Sequence, residues 1–255
     1  MTAVATAPAP GRSGTPSRIV NAARIHAANP WGTLILPWII YAAIFALTLA
    51  IWGLITMNAG GRQNLDADAF LYNGGGTWVL FYMMVVAVQA MNQTFKFALG
   101  LCVTRREYYL GSALYFLFLS AIYTTGITLL GIVERATDGW GLQGSFFVPF
   151  WMQEASLAER WLAWFGLFTV FFFLGAAVAT VYVRWGSNGM IAFFATLSVL
   201  ALAAVFVIVR FDLGPEVSGW FGARSLVQLV GLGLVASAVA GLVGFLLMRR
   251  ATPRA

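Results

Sequence analysis

Polar positions come in bunches along this chain, and between the bunches lie six stretches in which charge almost vanishes. Residues 34–57, 110–133, 161–183, 189–209 and 225–248 hold no charged side chain, and 78–101 holds only Lys96. A helix rises 1.5 Å per residue, so about 20 apolar residues cross a hydrocarbon core of about 30 Å. Each stretch meets that length. The runs are continuously apolar and do not alternate over about ten residues as barrel strands do, and only a helix satisfies its own backbone in lipid without a closed barrel. The pattern predicts an all-α, polytopic integral membrane protein with six transmembrane helices.

The segments between and before the spans carry their own signals. Residues 1–16, rich in Ala, Pro, Thr and Gly, read as a disordered tail, residues 17–250 as one transmembrane domain, and 251–255 as a second short tail. Within 17–29, Ile19, Val20, Ala23 and Ala27 share a helical face away from Arg18, Asn21, Arg24 and Asn29. That predicts a weakly amphipathic helix lying in the membrane interface and broken at Asn29-Pro30, or else a fraying segment ahead of the first anchor. The first span is too long and too far along the chain for a signal-peptide core, so it stays as an anchor. In the long loop before the fourth span, residues 146–151 are apolar but too short to cross, which predicts an interfacial or re-entrant piece. Ser156-x-x-Glu159 then fits a capping box opening the fourth span.

Composition and charge add the compartment and the orientation. Of 255 residues, 60% are hydrophobic and 9% charged, against about 25% charged in soluble domains. The net charge of +6 is unevenly placed. With both termini cytoplasmic, the inner segments hold ten basic residues and one acidic residue, Glu107, while the outer loops hold five basic and eight acidic ones. The positive-inside rule therefore predicts both termini cytoplasmic, and the basicity reads as topology rather than as nucleic-acid binding. A bacterial-type cytoplasmic membrane fits.

Chemistry is sparse. With one Cys and one His, the chain has no disulfide framework, and the same count argues against a Cys/His zinc site or a Ser-His catalytic pair. No phosphate-binding G-x-x-x-x-G-K-[ST] and no H-E-x-x-H occurs, so the expectation is a non-enzyme. No span carries a carboxylate, which argues against an ion-coupled transporter. The polar exception is in the second span. Gln89, Asn92, Gln93 and Lys96 recur at helical spacing and form one stripe. It lines a hydrophilic pathway or a seam between subunits, or it supplies interhelical hydrogen bonds with Lys96 reaching to the boundary.

The connection between the second and third spans is the most informative segment. Thr104 and Glu107 fit a capping box, so a helix begins at Thr104, with Arg105 and Arg106 projecting from its first turn. The pattern Gly100-x-x-x-Thr104-Arg105-Arg106-x-Tyr108-x-x-Gly111 resembles the loop of permease subunits in the type-2 ATP-binding-cassette (ABC) exporter family. Six spans, cytoplasmic termini and a short helix before the first span are similar to that family as well. The resemblance implies that this loop couples the permease to a separate P-loop ATPase subunit, with Thr104, Arg105, Arg106, Glu107 and Tyr108 as contact residues. It also implies a dimer with a second copy or a paralogue. No cofactor is expected on this chain, ATP and Mg being bound by the partner. One departure is visible: the loop at 210–224 is short, and the loop at 134–160 is the long one. An autonomous secondary transporter or channel, and a non-transporting scaffold or sensor subunit, are the alternatives.

Overall fold

The computed structural model describes residues 15–28 and 30–249; the remainder of both expected tails lies outside them. Helix α1 (Thr15–Ala27) comes first, and past Pro30 one π-helical turn (Trp31–Ile35) leads into α2 (Leu36–Asn58). Helix α3 (Trp78–Gln89), a second π-helical turn (Ala90–Thr94) and α4 (Phe95–Gly100) follow one another without a break. Then come α5 (Arg105–Ala136), α6 (Leu157–Arg210), α7 (Gly214–Gly222) and α8 (Leu226–Arg249). Among the described residues there is no strand.

Five of the described helices are long and apolar enough to cross a membrane: Trp31–Asn58, Gly75–Thr94, Arg105–Ala136, Leu157–Arg210 and Leu226–Met248. The chain is a multi-pass membrane protein. Where sequence periodicity separates spans at 161–183 and 189–209, the structure has the single α6 of 54 residues. A straight helix of that length would run about 80 Å, far beyond one bilayer crossing. It is not regular throughout. Gly186 has φ 68° and ψ −158°, a conformation essentially reserved for glycine, and it interrupts the apolar run between the two stretches. Helix α7 was not expected; Pro215 just inside its start and Gly222 at its end were the available signals.

Both expected capping boxes form. The Thr104 hydroxyl accepts the Glu107 N–H at 3.3 Å, while Glu107 accepts the Thr104 N–H at 3.1 Å. Ser156 and Glu159 do the same for α6, at 3.3 and 2.8 Å. Each box satisfies backbone donors that a helix start leaves open.

Helix α6 packs on α3, α5 and α8, and α1 lies along α5. Aromatic rings fill the centre: Tyr108, Phe116 and Tyr123 of α5, Phe95 of α4, and Trp164, Phe168 and Phe172 of α6 are all buried. Phe116 and Phe172 stack with ring centres 5.0 Å apart. Gly111 lets α1 approach α5, since a Cβ there would stand 2.7 Å from Ala22 Cβ and 2.8 Å from the Ala23 nitrogen. Past Thr180 the core resumes only in α8, at Ser237 and Met248. None of residues 181–236 is buried, and their apolar side chains face outward, as hydrocarbon permits.

Two loops, 59–77 and 137–156, close one end of the bundle. Arg62 donates to four backbone carbonyls: Leu142 (3.0 Å), Leu65 (3.1 Å), Asp66 (2.8 Å) and Ala67 (2.9 Å). Glu134, 2% exposed, accepts the N–H groups of Phe146, Phe147 and Val148 at 2.8 to 3.0 Å, together with the Trp140 indole N–H at 3.3 Å. Residues 146–149 are thus folded inward and buried, not laid in the interface, although Phe150 and Trp151 are exposed. Asp138, Gly139, Trp140 and Gly141 all have positive φ, a left-handed turn that costs about 1–2 kcal/mol for each non-glycine residue. Bonds from the Trp140 N–H to the Thr137 hydroxyl and from the Gly141 N–H to the Thr137 carbonyl hold it.

Candidate functional site

At the opposite end, α4 and α5 are joined by a tight turn. The Leu101 and Val103 N–H groups both return to the Ala98 carbonyl, and Cys102 takes a left-handed conformation with φ 57°. The five residues expected to contact a partner divide into two groups. Thr104 and Arg106 are exposed and Arg105 is half-buried, so these three belong to the surface of the turn. Glu107 and Tyr108 point inward. The Glu107 carboxylate holds the Thr104 backbone and receives Arg18 Nε of α1 at 3.1 Å. The Tyr108 hydroxyl donates to the Ala90 carbonyl at 2.5 Å, at the start of the second π-helical turn. Through these two side chains the turn is tied to α1 and to the second span.

That π-helical turn falls on the expected polar stripe. Its hydrogen bonds close over five residues instead of four, so spacings that share a face on a regular α-helix lose that register. Gln89 and Gln93 are exposed and Asn92 is half-buried. None of these three amides hydrogen-bonds within the described residues. The Lys96 side chain lies outside the described ones. Of the stripe's described side chains, only Gln89 borders a cavity of about 230 Å³ between α1, α3 and α5, which Gly32 and Thr33 of the first π-helical turn and Ala90 and Thr94 of the second also line.

His26 of α1 reaches the same cavity. Its Nε2 lies 2.8 Å from the Ser112 hydroxyl of α5, a Ser-His pair that sequence counting had argued against. Its chemistry is not that of a nucleophile and base. Both bonds form together when the Ser112 proton goes to the Tyr108 carbonyl at 2.9 Å, the arrangement in which Nε2 donates to Ser112 and Nδ1 carries the lone pair. Burial lowers the imidazole pKa from 6.5 to about 4, which keeps it neutral at ordinary pH. Tyr115 stacks on it at 5.5 Å and hydrogen-bonds Thr33 at 2.8 Å, while the Tyr82 hydroxyl donates to the Gly32 carbonyl at 2.9 Å.

Sequence reasoning did not find His26, Thr33, Arg62 or Glu134 as structural anchors. Their partners lie far along the chain, 86 residues away for His26 with Ser112 and 80 for Arg62 with Leu142, and no local pattern encodes such pairs. Among the described residues no group of three or more His, Cys, Asp or Glu converges as a metal site would. No family model, no curated protein and no solved structure matches this chain.

Proposed function

We propose that this chain is the permease subunit of a type-2 ABC exporter, coupled to a separate P-loop ATPase through the turn at Thr104, Arg105 and Arg106. The observation that carries this reading is the construction of that turn. Two arginines leave the first turn of a capped helix, and the next two residues lock the helix to α1 and to the π-helical turn of the second span. A push on the turn would thus reach two elements of the membrane domain directly. Counting α6 twice about Gly186 gives six crossings with both termini on the side of this turn, and the excess of basic residues supports reading that side as the cytoplasm of a bacterial-type cell.

The unpartnered amides support a dimer. An amide side chain facing hydrocarbon without a hydrogen bond is costly, so Gln89, Asn92 and Gln93 need water or another chain beside them. A second copy or a paralogue, meeting along the second span, supplies both a seam and a pathway. ATP and Mg belong to the partner ATPase, and this chain performs no chemistry of its own.

Affinity purification from native membranes in mild detergent tests this. A P-loop ATPase should co-elute with the wild-type chain and fall at least about tenfold with Arg105→Glu/Arg106→Glu, an effect of about 1.4 kcal/mol or more. Cys102, exposed on the same turn, provides a native thiol for cross-linking the two chains. A chain that purifies without an ATPase in every detergent would instead be an autonomous transporter, a channel or a scaffold.

A further inference from the structure

The cavity beside α1 has features that the coupling reading does not use. Two π-helical turns, Trp31–Ile35 and Ala90–Thr94, both contribute to its wall. Such turns are rare, and they are over-represented where a helix must present something other than its own regular backbone. The polar lining among the described residues is uncharged: His26, Gln89, Thr94 and Tyr115 border it, with Val86 and Phe116 on the apolar side, and no described Asp, Glu, Lys or Arg side chain lines it. Two polar groups there have no partner within the described residues. One is the Gln89 amide. The other is Nδ1 of His26, a residue 9% exposed.

We propose that this cavity binds the headgroup of an uncharged, hydroxyl-bearing amphipath. The ligand's O–H groups would donate to His26 Nδ1 and to the Gln89 amide oxygen, the Gln89 NH2 would donate back to a ligand oxygen, and the tail would leave along Val86 and Phe116. The volume of about 230 Å³ corresponds to about eight waters, which suits a glycerol-sized head and the first few methylenes of a chain. Charged heads are excluded for a physical reason. An ammonium or a phosphate would be desolvated there with no opposite charge to meet it, and that penalty is several kcal/mol. The site stands apart from the ATPase coupling, because binding to it needs no ATPase; it shares only Gln89 with the seam of the dimer reading.

The test uses the full chain in phosphatidylcholine nanodiscs with a diazirine-bearing monoacylglycerol as the photo-label, mapped by peptide mass spectrometry. Label is expected in peptides covering residues 25–33 and 86–94, saturable by plain monoacylglycerol. Dodecyl phosphate and dodecyltrimethylammonium should compete at least about tenfold more weakly. Gln89→Leu, at an exposed position that the fold tolerates, should weaken the apparent affinity about tenfold with thermal melting unchanged, and Thr94→Val should weaken it less. Equal competition by the charged amphipaths would overturn the proposal. So would Gln89→Leu labelling as wild type, or label spread evenly over 189–209 as on any lipid-facing surface.

Discussion

The two ends of this bundle are built on opposite principles. At the capped end, two loops are fixed by charged side chains used as backbone clamps: Arg62 gathers four carbonyls and Glu134 gathers three consecutive N–H groups and an indole. At the other end, a turn of a few residues is held by one capping box and one ion pair. Among the described residues, the capped end buries Glu134 and Arg160 among backbone partners, whereas the turn keeps Arg106 and Thr104 on the surface. The difference teaches how an irregular loop can be made rigid at a membrane boundary. Buried backbone groups that no helix satisfies are satisfied instead by a few long side chains.

Removing a clamp should break that contrast, and Glu134→Ala should do so most strongly. It leaves three buried N–H groups and the Trp140 indole without an acceptor, at a cost of about 3–5 kcal/mol. Limited proteolysis should then cut within 137–156 while the turn at 101–104 is cleaved no faster than before. Uniform protection would show that the loop does not depend on this carboxylate.

Arg62→Ala comes next. It releases four carbonyls, two of them at the exposed surface, and should cost about 2 kcal/mol, read as faster hydrogen exchange at residues 62–67 and 142.

Acid should weaken the junction of α1 with α5 by a similar amount. His26 is ringed by Tyr108, Tyr115 and Phe116, and the nearest ion pair on this junction is Arg18 with Glu107. Its pKa is about 4 when folded and 6.5 when unfolded, so between those values the unfolded chain binds more protons. Stability from this group is therefore complete above about pH 6.5 and falls as the pH drops, reaching a loss of about 2 kcal/mol at pH 5. Thermal melts at pH 7.5 and pH 5 should show that difference, and His26→Phe should shrink it. A difference that persists in His26→Phe would assign the acid effect elsewhere.

The smallest effect is expected from Arg18→Ala. The arginine side chain is 46% exposed, and such half-solvated pairs contribute less than about 1 kcal/mol. The melting temperature should move by no more than about 4 °C, with the capping box intact. A larger loss would mean that the turn is held as firmly as the capped end.

Most of the helical layout was legible from sequence for a simple reason. A run of some twenty uncharged residues has one stable form in lipid, so length and hydropathy are enough to place α2, α3, α5 and α8. Both capping boxes were legible because their partners are three residues apart. The polar stripe was legible as composition but not as geometry. At the π-helical turn Ala90–Thr94 the Ala90 carbonyl accepts from Tyr108 of another helix, and helical spacing alone assumes that no such turn is present. Of the five residues read as one contact surface, the turn presents Thr104, Arg105 and Arg106 and keeps Glu107 and Tyr108 for its own anchoring.

The amino-acid sequence by itself determined that this is a multi-pass helical membrane protein, where its apolar runs lie and where α5 and α6 begin, because those properties follow from local composition and from pairs within one helical turn. Only the tertiary structure decided that Glu134 would hold residues 146–148, that Arg62 would bind one loop to the other, and that His26 would stay neutral against Ser112. Each of those depends on a polar group buried by a distant segment, and burial is what makes an unpaired N–H, carbonyl or imidazole costly enough to choose its partner.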